Sequence, residues 1–192
     1  LFNDCCFMKK NDLNHLLEQE RKIYLSDSWK QRLIDSFLKR ERFLIWHFVK
    51  TMRYCEYYGS NKHKSVFHAL MYLYYMRKHN SNCVTMGGQI APGTLGAATI
   101  IYHINGNVVN GYSKIGINCK LHGNNCIGNS HEEDDCPVIG NNVRLGVGAK
   151  VIGNIYIADN VTIAAGAVVT KSCFEKGVTL AGIPAKIINR KS

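Results

Sequence analysis

Aliphatic residues recur at every sixth position through the C-terminal half of the chain. The series runs without a slip through Ile139, Leu145, Val151, Ile157, Ile163 and Val169, and its phase extends backwards through Ile127, Leu121, Ile115 and Val109. Small residues follow several of these positions, as at Gly140 and Ala158. A fixed short period of this kind indicates a stacked coil rather than a helix or an ordinary sheet. The pattern therefore predicts a mainly β structure, a parallel β-helix of hexapeptide repeats with three sides to each turn.

The first 80 or so residues follow a different pattern, in which glycine is rare and charges are dense. Apolar residues at helical spacing predict an amphipathic helix near Leu13–Ile23, helical structure from Trp29 to Tyr58, and a helix from Ser65 to about His79. The last segment is apolar nearly all round, so we expect it to pack against another surface; a basic amphipathic helix on a membrane is the alternative. We expect an α-helical region at residues 1–85 and a coil domain with a C-terminal tail at residues 86–192.

The coil phase is interrupted once, at residues 129–137. Continuing the six-residue phase would place Glu133 inside an aliphatic core. Burying an unpaired carboxylate is costly, so this acidic segment is expected to loop out of the coil.

The composition of the chain indicates which partners and which cellular compartment to expect. The net charge of +10 favours anionic partners. No nucleic-acid-binding motif accompanies it, so we expect no nucleic acid partner. The eight cysteines show no CxxC pair or zinc spacing, which predicts buried thiols, Cys119 among them, and no metal site. No apolar run reaches the roughly 18 residues of a membrane span, and no signal peptide is recognisable, so the cytoplasm is the expected compartment.

The coil and the residues around it resemble the hexapeptide-repeat acyltransferases, most of all the serine acetyltransferase type. The likeness covers roughly residues 65–190 and is carried by Phe67–Leu70, Ile100–His103, Ile139–Val143 and Ala181–Lys186. Similarity to the branch found in capsule and O-antigen gene clusters is carried by His103, Val108–Asn110, Ile115–Cys119 and Leu121–His122. The resemblance implies a left-handed parallel β-helix, acetyl transfer from acetyl-CoA to a hydroxyl, and homotrimers with active sites between neighbouring coils. The helical region is a candidate for pairing two trimers.

The resemblance also implies site residues. His103 matches the catalytic histidine, and imidazole suits a general base because its ordinary pKa lies near neutrality. His122, about one coil further on, is a second catalytic candidate that could line the same cleft, or else a surface histidine. For acetyl-CoA the matching positions are Gly128, Asn129, Val147 and Ala165, expected along one groove between coils, and Lys186 near the adenosine phosphates.

Four residues depart from the serine-specific pattern. Tyr102 stands where those members carry Asp before the catalytic histidine, and Gln89 stands where they carry the acid that orients it. Asp135 and Cys136 stand where they carry the Arg-His pair that holds the serine carboxylate, and these two side chains cannot supply two charge-assisted donors. The sequence therefore favours a sugar hydroxyl of a surface polysaccharide or its precursor as the acceptor. L-Serine is the alternative acceptor, and a non-enzymatic scaffold is the third hypothesis.

Overall fold

The computed structural model describes residues 8–103 and 105–190, and the chain forms two compact units, residues 1–85 and 86–192. The first unit contains helices α1 (Lys10–Tyr24), α2 (Trp29–Phe37), α3 (Glu41–Ser60) and α4 (Val66–Thr85). Its core is built mainly by α3, whose fully buried apolar residues are Ile45, Phe48, Val49, Met52 and Cys55.

Two helix boundaries differ from the sequence prediction. The helical stretch from Trp29 is divided, because Lys39 adopts a positive φ of 48° and thereby ends α2. Helix α4 runs on to Thr85 instead of ending near His79. Residues 80–85 contain neither glycine nor proline, so the helix continues although its apolar period has faded.

Helix α4 packs against another surface as expected, but on one side only. One side contacts α3, where the Tyr75 ring stacks on Tyr54 at 4.7 Å, but only His79 and Cys83 are buried in this helix. The apolar residues of the other side are all more than half exposed: Val66, Phe67, Leu70, Leu73 and Tyr74. Within the described residues, no element of the helical unit covers that side.

A buried ion-pair network ties α1 to α3. Arg53 Nη2 donates to Glu20 Oε1 at 2.7 Å, and Arg53 Nη1 donates to Glu56 Oε2 at 2.9 Å. All three side chains are almost completely shielded from solvent. Burial alone would lower the pKa of Arg53, but the two carboxylates outweigh it and raise that pKa.

The second unit is a parallel coil with three walls. Its strands are β1 (Gln89–Ile90), β2 (Ile100–Ile101), β3 (Val108–Val109), β4 (Lys114–Ile115), β5 (Lys120–Leu121), β6 (Cys126–Gly128), β7 (Val138–Ile139), β8 (Arg144–Leu145), β9 (Lys150–Ile152), β10 (Tyr156–Ile157), β11 (Thr162–Ile163), β12 (Val168–Val169), β13 (Val178–Gly182) and β14 (Ala185–Arg190). Wall 1 has the order β1-β3-β6-β9-β12, wall 2 has β4-β7-β10, and wall 3 has β2-β5-β8-β11-β13-β14. All pairings are parallel except β13 with β14. The predicted parallel β-helix with a helical region before it is confirmed.

Each wall turns one aliphatic ladder inward. In wall 1, Val109, Ile127, Val151 and Val169 lie in register and are buried. Burying one such side chain contributes about 1.5–3 kcal/mol. In β2 and β3 only the second residue points inward, since Ile101 and Val109 are buried while Val108 is exposed. The predicted interior position of Cys119 is confirmed, because that residue is fully buried.

The corner between wall 2 and wall 3 requires small residues. A Cβ atom added at Gly116 would lie 2.6 Å from the carbonyl oxygen of Gly140 and 2.5 Å from Asn141 Oδ1. We expect Gly116→Ala to lower the unfolding free energy by about 1–3 kcal/mol through overpacking, measured by urea denaturation. Gly111→Ala is the matched control, because its Cβ would meet only Ala91 Cβ at an ordinary 3.5 Å. Equal stability of the two variants would contradict this close-packing argument.

The acidic segment leaves the coil as expected. Residues 129–137 lie between β6 and β7, and Glu133 is exposed. The chain returns at Cys136 and Pro137, which are buried. Among the helices that the structure describes, none is long and apolar enough to cross a membrane.

Candidate functional site

His103 lies on the outside of the coil at the corner where wall 3 turns into wall 1. We call this the histidine corner; successive turns stack there, with Gly148 N donating to Gly123 O at 2.9 Å. The side chain of His103 is exposed. Gly123 lies beside it in the next turn, and a Cβ at that position would be 3.2 Å from His103 Cβ. The glycine therefore leaves room beside the imidazole.

Two buried asparagines hold this corner. Asn107 Nδ2 donates to the backbone carbonyl of His103 at 2.9 Å, and Asn107 Oδ1 accepts from Asn125 N at 3.2 Å. Asn125 Nδ2 in turn donates to Gly146 O at 2.7 Å. Both asparagines are almost fully buried, so the backbone that carries His103 is fixed by side-chain hydrogen bonds. Sequence reasoning missed this pair; the available signal was Asn recurring after eighteen residues, each time two positions before an inward aliphatic residue.

His122 lies at the same corner, packed against an aromatic ring. The rings of Tyr102 and His122 stack with centroids 4.4 Å apart and planes 11° from parallel. Ile101 pairs with Leu121 in wall 3, so the residues that follow them become neighbours. The Nε2 atom of His122 is buried and has no hydrogen-bond partner within the described part of the chain. The structure thus brings His103 and His122 together and adds Tyr102, whose stacking role the sequence had not indicated.

Burial lowers the pKa of His122 below its ordinary value of 6.5, and the positive charges of Arg144, His103 and Lys120 lower it further. The imidazole of His122 is therefore neutral at neutral pH, when it can accept or donate one hydrogen bond. A histidine with a depressed pKa in the folded state stabilises the fold above its unfolded pKa, and that contribution is lost as the pH falls through the folded value.

We expect a histidine NMR signal that titrates below pH 6.5 and is missing from His122→Gln. In His122→Gln the unfolding free energy should fall less between neutral and mildly acidic pH than in the unaltered protein. Urea denaturation at each pH measures this difference. A His122 signal that titrates above pH 6.5 would contradict the burial argument.

The four residues expected along one acetyl-CoA groove do not come together within a single chain. Val147 and Ala165 lie exposed at the histidine corner, where Gly166 N donates to Val147 O at 2.9 Å. Gly128 and Asn129 lie at the far end of wall 1, where Asn129 Oδ1 accepts from Asn110 Nδ2 at 3.1 Å. The strands of wall 1 separate the two groups. Lys186 is exposed on β14, opposite Ala181.

The acidic segment projects at the wall 1–wall 2 corner, away from the histidine corner of its own chain. Both carboxylate oxygens of Asp135 accept hydrogen bonds. Its Oδ1 accepts from Asn154 N at 2.9 Å, and its other oxygen accepts from Ser130 Oγ. Burial raises the pKa of the Cys136 thiol, which is therefore uncharged. His131 is exposed. In residues 8–103 and 105–190 no three His, Cys, Asp or Glu side chains are grouped so as to hold a metal ion.

Comparison with known proteins identifies proteins that are similar to the coil unit. Residues 136–171 match the family described as bacterial transferase hexapeptide (six repeats). Serine acetyltransferase from Synechococcus elongatus is 36% identical over 115 residues, which are 58% of this chain and 46% of that protein. Serine acetyltransferase from Staphylococcus aureus strain Mu50 is 36% identical over 107 residues, 54% of this chain and 50% of that protein. The chain spans about half the length of the curated relatives it matches.

Solved structures extend the likeness over nearly the whole chain. Serine acetyltransferase from Brucella abortus strain S19 superposes with a TM-score of 0.70 at 25% identity, covering 95% of this chain and 71% of that one. Soybean serine acetyltransferase, at 21% identity and a TM-score of 0.69, covers 93% of this chain and 70% of that one and shares the fold. The expected closer likeness to the capsule and O-antigen branch finds no support in these comparisons. The coil thus carries hexapeptide repeats of the bacterial transferase type, and its relatives by sequence are serine acetyltransferases.

Proposed function

We propose that the chain is an acetyl-CoA-dependent O-acetyltransferase with His103 as its general base. The observation that carries the proposal is an exposed His103 beside a neutral His122, at one corner of a coil whose relatives are serine acetyltransferases. The imidazole of His103 removes the proton of the acceptor hydroxyl while the oxygen attacks the thioester carbonyl. The tetrahedral intermediate then collapses, the C–S bond breaks, and the coenzyme thiolate takes the proton from the imidazolium.

The separation of the cofactor candidates supports a site shared between copies of the chain. Gly128 and Asn129 of one copy would face Val147 and Ala165 of the next across an acetyl-CoA groove, in a homotrimer of left-handed coils. Small residues at these positions leave backbone N–H and C=O groups accessible to the amides of the pantetheine arm. Lys186 would contact the adenosine phosphates as a point charge. The apolar side of α4 is available for pairing two trimers.

L-Serine is the proposed acceptor, as in the names of the relatives. A sugar hydroxyl is the second candidate, and one observation favours it. The position where the serine enzymes carry an Arg-His pair holds Asp135, which is bound to Asn154 and Ser130, and a buried neutral Cys136. These residues offer no cation to a serine carboxylate.

The deciding test follows thiol release from acetyl-CoA with a panel of acceptors, and mass spectrometry identifies the acetylated product. O-Acetylserine formation supports the serine assignment, and turnover restricted to sugars moves the assignment to the second candidate. Purified protein that releases no thiol above spontaneous hydrolysis with any acceptor would favour the scaffold hypothesis instead.

Lys186→Ala should raise the dissociation constant for acetyl-CoA about tenfold and change kcat little, because one charge-assisted contact to phosphate is lost. Calorimetric titration with acetyl-CoA measures this effect. Lys171→Ala, an exposed lysine in the turn after β12, is the matched control. An unchanged affinity in Lys186→Ala would remove the lysine from the cofactor site.

A further inference from the structure

The outer face of wall 3 carries two adjacent cations beside the histidine corner. Lys120 on β5 is the register partner of Arg144 on β8. The residues that follow them, Leu121 and Leu145, are fully buried, so the two cationic side chains point outward, because alternate residues of a strand face opposite sides. Neighbouring strands lie about 4.8 Å apart, which places the two side chains next to each other.

This pair of charges is not neutralised by the coil. The six strands of wall 3 contain no acidic residue. Neither the Lys120 nor the Arg144 side chain has a hydrogen bond or ion pair with any residue that the structure describes. Lys176 differs from them, because its Nζ lies 3.0 Å from Asp159 Oδ2. Like charges directly opposite each other destabilise a sheet, and an anion bound across Lys120 and Arg144 would relieve that repulsion.

The pair lies within reach of the two histidines. His122 follows Lys120 by two residues, just beyond the end of β5, so in extended backbone the two side chains lie on the same side of the chain about 6.6 Å apart. The charges of Arg144 and Lys120 also contribute to the lowered pKa of His122. Thr162 is the register partner of Arg144 on the other side and adds a hydroxyl to the row. Lys120, Arg144 and Thr162 therefore form a row of donors across wall 3, and His122, with Tyr102 stacked on it, lies two residues beyond Lys120.

We propose that Lys120, Arg144 and Thr162 bind the anionic group of the acceptor, a carboxylate or a phosphate, and so place its hydroxyl at the histidine corner. The inference rests on the proposed acetyl transfer for the role of His103. It supplies the anion site that Asp135 and Cys136 cannot provide. The acceptor is then a hydroxyl compound with a negative charge: L-serine through its carboxylate, or an acidic or phosphorylated sugar.

The experiment measures thiol release with charged and uncharged members of each acceptor class. L-Serine is compared with serinamide, and glucose 6-phosphate and glucuronic acid are compared with glucose. The variants are Lys120→Gln and Arg144→Gln, which remove charge and keep length. Lys114→Gln is the matched control, since this exposed lysine points outward from wall 2. Circular dichroism verifies that each variant folds.

We expect KM for the charged acceptor to rise about 10- to 100-fold in Lys120→Gln and in Arg144→Gln, the loss of one charge-assisted contact each. The KM for acetyl-CoA and the kinetics of Lys114→Gln should stay unchanged. Two results would overturn the proposal: an uncharged acceptor used as well as its charged counterpart, or an unchanged acceptor KM in both variants. A lower oligomer stability with unchanged KM would show that the pair contacts a second copy instead.

A binding measurement distinguishes failure of this inference from failure of the proposed function. If the unaltered protein releases no thiol with any acceptor, the acetyl-transfer proposal fails, and the anion site is judged by thermal shift with inorganic phosphate and with L-serine. A stabilisation that Arg144→Gln loses and Lys114→Gln keeps supports the site. No stabilisation of the unaltered protein by either anion refutes it.

Discussion

We expect His103→Ala to lower kcat by about 10² to 10⁴, the usual contribution of a general base. The affinity for acetyl-CoA should change little, because His103 acts on the acceptor proton during the reaction and is not among the residues proposed to hold the cofactor. Steady-state kinetics with the best acceptor of the panel, together with a calorimetric titration of acetyl-CoA, measure the two quantities.

Two further histidine variants make this test specific. His131→Ala removes an exposed imidazole from the acidic segment and should leave kcat unchanged. His122→Ala should cost less than His103→Ala and act mainly on acceptor KM, since His122 stacks on Tyr102 and its Nε2 is buried. Near-full turnover in His103→Ala combined with abolished turnover in His122→Ala would transfer the role of the base to His122.

The second large effect concerns stability. Arg53→Met should lower the unfolding free energy by about 3–5 kcal/mol, because it leaves the carboxylates of Glu20 and Glu56 buried without their cation. Urea denaturation followed by circular dichroism measures the change. Arg21→Met is the matched control: its ion pair with Glu18 lies on the surface, so its removal should have little effect.

A triple replacement completes this test. Substituting Glu20, Arg53 and Glu56 together by apolar residues of similar volume removes the buried charges as well as their pairing, and should recover most of the lost stability. A loss of less than about 1 kcal/mol in Arg53→Met alone would mean that the carboxylates become solvated or protonated at little cost.

The coil was predictable because each inward residue is specified locally. Each turn of the coil needs an aliphatic side chain at one position in six, so the residue type alone predicts that Leu145 and Ile163 are buried. In the same way, Glu133 predicts that its segment lies outside the core. The buried network of the helical unit was not predictable in this way. Glu20 and Arg53 are charged residues in helices, which a single sequence assigns to solvent, and only the packing of α1 on α3 brings them together.

The Tyr102–His122 stack is a contact that the strand register determines and that the sequence pattern alone does not predict. Later coils repeat every eighteen residues, as from Val151 to Val169. The step from Ile101 to Leu121 is two residues longer. With an eighteen-residue step, His122 would lie beside a different residue. The longer step in this part of the coil places it beside Tyr102. The row formed by Lys120 and Arg144 depends on register in the same way, because these residues are separated in sequence by the acidic segment.

The antiparallel pairing of β14 with β13 also has a consequence for self-association. A stack of parallel coils exposes a rim of unpaired backbone groups at its end, onto which another molecule could add its own first coil, and repetition of that step would build a filament. In wall 3 the chain reverses direction after Gly182, so the rim position is occupied by a strand running the opposite way. An incoming parallel coil finds no matching template there. Strand β14 thus blocks parallel addition at wall 3, which favours discrete particles over fibrous growth.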